Sequence, residues 1–105
     1  MANESLYRRR LIRKLETIYP GCIILKNDPA HLQGVPDLLF LHHSFWAALE
    51  TKFSNSSPYR PNQGFYLDTM NAMSFAASIC PQNEGVVLGD LQEAYEFHIR
   101  HSRIS

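Results

Sequence analysis

The sequence predicts an α/β fold: one domain, 1-105, in the order α-β-β-β-α-β-α, with a mixed sheet flanked by helices. Three observations carry this expectation. Residues 38–41 (LLFL) and 45–49 (FWAAL) are apolar runs of strand length parted only by His42-His43-Ser44, the composition of a buried hairpin. Residues 3–19 repeat apolar side chains at helical spacing and stop at Pro20-Gly21. A helical stretch opening near Pro61 leads into SFAASIC at 74–80, which ends at Pro81 and reads as a fourth strand reached by a right-handed crossover.

In the first helix Asn3 is a suitable N-cap, and steps of about 100° place Tyr7, Leu11, Leu15 and Ile18 on one stripe. Glu4 falls on that stripe, where it can cap the helix or reach a site at the end of the hairpin. Residues 22–26 (CIILK) form the first strand and 27–33 a loop. After the hairpin, FSNSSPYR at 53–60 breaks all periodicity and reads as a polar surface loop. Pro61 suits the first turn of a helix running to Ala72, with Gln63, Tyr66, Leu67 and Met70 on one side. Residues 83–89 read as a loop or short helical turn, with 86–88 an alternative fourth strand. Asp90 then caps a last helix that ends near His101 and packs Leu91, Ala94, Tyr95 and His98.

A chain of 105 residues supports one modest core. Its 45% hydrophobic and 19% charged residues are those of a globular protein, and ten basic against ten acidic side chains leave zero net charge. Composition alone therefore gives no argument for a nucleic-acid partner. Locally, Arg8, Arg9, Arg10, Arg13 and Lys14 form a basic cluster that is either a solvated helix face or a phosphate contact. Cys22 and Cys80 lack metal or redox spacing and read as buried thiols in a reducing compartment. With no leader-like or membrane-spanning run, the expected location is the cytoplasm.

The chemistry-bearing stretch is GVPDLLFLHHSFWAALETK, residues 34–52. A turn centred between His43 and Ser44 pairs Leu41 with Trp46, Leu39 with Ala48, and Asp37 with Glu50. Opposed residues on one face have Cβ atoms about 5 Å apart, and Lys52 points the same way as Glu50. Two carboxylates so close call for a divalent cation and a neighbouring ammonium. The bland alternative is a turn residue and a Glu50–Lys52 salt bridge. Burying such a group without purpose is costly, which favours function.

Other constellations are weaker. His42 and His43 point to opposite sides of a strand, and His98 and His101 have no partner at zinc spacing. No serine sits in a nucleophile elbow, neither cysteine has a positioned histidine, and the five glycines form no phosphate loop, so no nucleotide cofactor is expected.

Pro36-Asp37, twelve intervening residues, and Glu50-Thr51-Lys52, after a helix bearing Glu4 and before one bearing Gln63, resemble the PD-(D/E)xK nuclease superfamily. Gly34-Val35-Pro36-Asp37-Leu38-Leu39 and Gln63 are similar to the small VRR-NUC and Holliday-junction-resolvase-like endonucleases, many of them encoded by bacteriophages. The resemblance runs from Glu4 to about Leu91 and implies a restriction-endonuclease-like fold. It implies Mg²⁺ or Mn²⁺ on Asp37, Glu50, the Thr51 carbonyl and Glu4, with Lys52 orienting or deprotonating water. Gln63 would contact DNA or Lys52. DNA contacts are expected from Arg8, Arg9, Lys26, Asn27, Ser54, Tyr59, Arg60 and Gln63. The implied activity is Mg²⁺-dependent hydrolysis of branched DNA. A neutral protein this small offers few phosphate contacts, which favours a homodimer with two sites. Rival readings are a nickase or structure-nonspecific nuclease, a non-catalytic nucleic-acid-binding protein on the same fold, and a structural protein.

Overall fold

A computed structural model describes residues 3–28, 32–54, 56–59 and 61–102. The elements run α1 (Glu4–Ile18), β1 (Ile23–Lys26), β2 (Leu38–His42), β3 (Phe45–Thr51), α2 (Gln63–Met73), β4 (Phe75–Ile79) and α3 (Glu84–Ser102). This is the predicted α-β-β-β-α-β-α order. The sheet is mixed, with order β1-β2-β3-β4: the first three strands form an antiparallel meander, and β4 lies parallel to β3 after the α2 crossover.

The hairpin has the register its composition implies. Leu39 pairs with Ala48 and Leu41 with Trp46, and His43 makes the turn with φ 56°. Alternation along β2 and β3 then sends Leu38, Phe40, Phe45, Ala47 and Leu49 to one face. There they meet Tyr7, Leu11 and Leu15 of α1 and Val87 and Leu91 of α3 in the main core. On the other face α2 covers Ala48 and Ala76 with Leu67, flanked by Trp46 and Met70. The β1 side of that face stays open, with Ile23 57% and Leu25 48% exposed.

Asn3 caps α1 through its side chain, which accepts the Leu6 N–H at 2.9 Å. Two expectations fail in detail. Ile18 is 47% exposed, and Tyr19 takes the core position instead, because the helix ends at Ile18 and the chain turns. The last helix starts at Glu84 rather than Asp90, so 84–89 is helical, longer than a short helical turn and neither loop nor strand. Val87 and Leu91, four apart, face the core and hold the first turns helical despite Gly85 and Gly89; Asp90 is an exposed mid-helix residue. Pro61 and Asn62 form a turn before α2, which begins at Gln63.

Topology concentrates the polar machinery at one end of the sheet. Lys26 ends β1 opposite Leu38, Asp37 immediately precedes β2, Thr51 ends β3 opposite Ile79, and Lys52 follows. The first turns of all three helices come to the same end. Arg8 in α1 meets Asp37, Gln63 at the start of α2 meets Glu50, and Glu84 at the start of α3 meets Tyr7. Helix N-termini carry partial positive charge, and those of α1 and α3 are met by the acidic first-turn residues Glu4 and Glu84.

Candidate active site

Glu50 and Lys52 lie two residues apart and share the α2 side of β3; Thr51 between them faces α1. All are buried, with Glu50 7%, Thr51 1% and Lys52 5% exposed. Gln63, 3% exposed, bridges the charged pair. Its Nε2 donates to Glu50 Oε2 at 2.8 Å, and its Oε1 accepts from Lys52 Nζ at 2.8 Å. Lys52 also donates to the Pro58 carbonyl at 3.1 Å and stands 3.9 Å from Glu50 Oε2. A buried ion pair is costly unless its remaining hydrogen bonds are made. Here they are: among the described residues no buried side-chain polar atom lacks a partner.

Asp37 reaches the same end of β3 from the other side. Oδ1 accepts the Thr51 N–H at 2.8 Å, and Oδ2 accepts the Thr51 hydroxyl at 2.5 Å and Arg8 Nε at 2.7 Å. Arg8 Nε also lies 3.3 Å from the Thr51 hydroxyl. The hairpin register does continue toward Asp37 and Glu50, but their side chains differ from the expected same-face pair. Asp37 precedes the first β2 residue, Leu38, and its carboxylate turns to the α1 side, where a guanidinium and a peptide N–H satisfy it. The Asn27 N–H holds the Asp37 carbonyl at 2.9 Å, and the Asn27 carboxamide holds that of Pro36. Asn27 thus fixes the backbone of the motif.

Glu4 is half-buried in the first turn of α1, one turn before Arg8. Among the described residues no group of three or more His, Cys, Asp or Glu is placed to hold a metal. The oxygen donors available at the end of β3 are those of Asp37, Glu50 and the Thr51 backbone. Carboxylate and carbonyl oxygens are the donor types Mg²⁺ takes, but Asp37 is turned to the α1 side and Glu50 to the α2 side, each held by protein donors.

The remaining expected DNA contacts are distributed. Arg9 and Lys26 are exposed, Lys26 at the Asp37 end of the sheet; Arg8 is engaged by Asp37; Arg60 lies outside the described residues. Ser54 and Tyr59 line a cavity of about 330 Å³ beside Lys52. Ser78 and Asn83, from the β4–α3 side, line it too and were not singled out from sequence. The available signal was a hydroxyl in the otherwise apolar 75–79 run.

Gly34 is a further residue on which the site depends. It has φ +95°, and a Cβ there would lie 2.7 Å from both the Pro61 carbonyl and Asn62 Cβ. The loop opening the Asp37 motif therefore packs directly on the turn that launches Gln63.

Family models, curated proteins and solved structures give no significant match to this chain. No helix among the described residues is long and apolar enough to cross a membrane.

Proposed function

We propose that this protein is a divalent-metal-dependent DNA endonuclease that hydrolyses phosphodiester bonds, acting as a homodimer on branched DNA in the cytoplasm. The observation that carries the reading is the buried Glu50–Gln63–Lys52 network at the end of β3, one peptide from the anchored Asp37. A fold gains little stability from a buried ion pair compared with apolar packing.

Asp37, Glu50 and the Thr51 carbonyl would hold Mg²⁺ or Mn²⁺. When bound, such a cation supplies nucleophilic water at neutral pH and offsets charge on the phosphoryl oxygens. Lys52 keeps an ammonium beside the carboxylate and orients the attacking water. As the water oxygen bonds to phosphorus it gives up a proton to solvent, the bridging P–O bond breaks and its leaving oxygen takes up a proton from solvent, while that ammonium opposes the charge gathering on the phosphoryl group. Gln63 fixes the Lys52 and Glu50 head groups through one carboxamide. Arg8 pairs with Asp37 at 2.7 Å and would have to give way if that carboxylate held a cation. Two copies would provide the paired nicks that resolve a four-way junction. Cys22 and Cys80 read as thiols of a reducing compartment.

A second reading is a non-catalytic nucleic-acid-binding protein on the same fold. The observation favouring it is that Arg8 and Thr51 occupy both Asp37 oxygens. Cleavage of a four-way junction beside matched duplex and single strand, with Mg²⁺, Mn²⁺ or EDTA, separates the two. The proposal expects metal-dependent nicks, most in the junction. Binding without cleavage under either metal supports the alternative.

A further inference from the structure

We infer that the cavity beside Lys52 is a subsite for one unpaired nucleotide of the substrate strand, next to the phosphate that is cut; this inference rests on the nuclease reading of Lys52. The cavity, about 330 Å³, lies between the chain leaving β3 and the turn that joins β4 to α3. Ser54, Ser57 and Tyr59 line one side and Ser78 and Asn83 the other, with Lys52, Ile79 and Cys80 completing the lining.

The lining is specific in its chemistry. It contains one ammonium, three serine hydroxyls, a phenol and a carboxamide, and no acidic side chain, in a protein with as many acids as bases. The ammonium is already shared with Gln63, Pro58 and, at 3.9 Å, Glu50, so the hydroxyls, the phenol and the carboxamide are the groups that suit a phosphate and its sugar. The nearest acid on the α3 side is Glu84, and its carboxylate is taken up by Tyr7 at 2.8 Å and Lys14 at 2.5 Å.

The walls are held rather than collapsed. Asn83 accepts the Cys80 N–H at 2.8 Å and donates to the Ser78 carbonyl at 3.3 Å, while Ser78 donates its hydroxyl to that of Tyr59 at 3.2 Å. Ser57 Oγ accepts the Ser54 N–H at 3.4 Å. Tyr59 itself is 58% exposed, and its ring centroid is 5.3 Å from Lys52 Nζ. An exposed aromatic ring beside a cation is the platform on which an unpaired base stacks. The volume is at the small end for a ligand site, enough for one nucleotide and too small for a base pair with its backbone. A strand entering it must therefore surrender pairing at that position, which branch points do at least cost.

The test is titration of the full chain with thymidine 5′-monophosphate, thymidine and inorganic phosphate, followed by NMR. Shifts should centre on Ser54, Ser57, Tyr59 and Ser78. The monophosphate should bind more tightly than either fragment. Tyr59→Ala should weaken it about tenfold or more, with Tyr59→Phe close to wild type and Ser57→Ala weakened. Equal binding by wild type and Tyr59→Ala, or phosphate alone binding as tightly as the nucleotide, would overturn the subsite. The readout needs no cleavage. Nucleotide binding at these residues in a protein that cuts nothing would keep the subsite and remove the nuclease. Metal-dependent cleavage with an unchanged KM in Tyr59→Ala would do the reverse.

Discussion

The Lys52 ammonium donates to the Gln63 carbonyl oxygen at 2.8 Å across a buried interface between the end of β3 and the start of α2. These residues are eleven apart in sequence, and the same carboxamide reaches Glu50 with its other end. Gln63 thus orients both charged groups without adding charge.

Replacing Gln63 by Leu leaves the shape and removes both hydrogen bonds. Buried polar groups that lose a partner cost about 1–3 kcal/mol each, so urea denaturation should show a loss of that order. Cleavage under single-turnover conditions should fall by about ten- to a hundredfold, the usual effect of losing a residue that orients a metal site. Gln63→Leu with wild-type stability and rate would show that the bridge is idle.

Gly34 and Gly89 predict opposite responses to alanine. At Gly34 the positive φ and the approach to the Pro61 carbonyl oppose any side chain; a strained backbone position costs about 1–3 kcal/mol. Because the clash falls on the turn before Gln63, cleavage should fall by more than the stability change explains. At Gly89, mid-helix in α3 with nothing within 4 Å, alanine should stabilise by about 0.5–1 kcal/mol. Thermal melts of both variants check the pair.

The Glu84 carboxylate is pushed upward by burial, but hydrogen bonds from Lys14 and Tyr7 outweigh that and hold it below its ordinary value of 4.5. A depressed carboxylate stabilises the fold above its unfolded pKa, and that contribution is lost as pH falls through the lower folded value. Glu84→Gln should therefore be less stable than wild type near pH 7, with the gap closing below about pH 4. Burial and the Glu84 hydrogen bond raise the Tyr7 phenol above its ordinary value of 10.0. Its contribution is full below that value and lost as pH rises beyond it. Tyr7→Phe should accordingly lose less stability than wild type above about pH 10. Denaturant midpoints across pH measure both.

Arg8 pairs with Asp37 at 2.7 Å and would oppose a divalent cation at that carboxylate. Arg8→Ala should tighten Mn²⁺ binding in the absence of DNA by about two- to fivefold, matching the worth of a partly exposed ion pair. Calorimetry with Asp37→Asn as reference checks it. Weaker binding in Arg8→Ala would place the cation away from Asp37.

The hairpin was legible because apolar runs on either side of a short turn admit one register that buries Phe40 and Leu49 together; the pairing of Leu39 with Ala48 follows. The parallel β4 was legible from SFAASIC and its Pro81 stop. The start of α3 was hidden, since Gly85, Gly89 and Val86-Val87-Leu88 mask a helical spacing that only Val87 and Leu91 reveal once a core exists. Spacing also places Asp37, Glu50, Lys52 and Gln63 at one end of the sheet. It says nothing of side-chain torsions, so the turn of Asp37 toward Arg8 and Thr51 could not be read. The cavity walls at Ser78 and Asn83 come from residues far along the chain that only the crossover brings to Lys52.

The most direct test of the account is single-turnover cleavage of a four-way DNA junction by wild type and Lys52→Ala, each with Mg²⁺ and with EDTA, alongside a denaturation curve for both proteins. Wild type should give paired nicks that vanish in EDTA. Cleavage should fall by at least about a hundredfold in a folded Lys52→Ala protein, as expected when a positioned charge is removed from the transition state. Equal cleavage by the two proteins, or none by folded wild type with metal present, would contradict it.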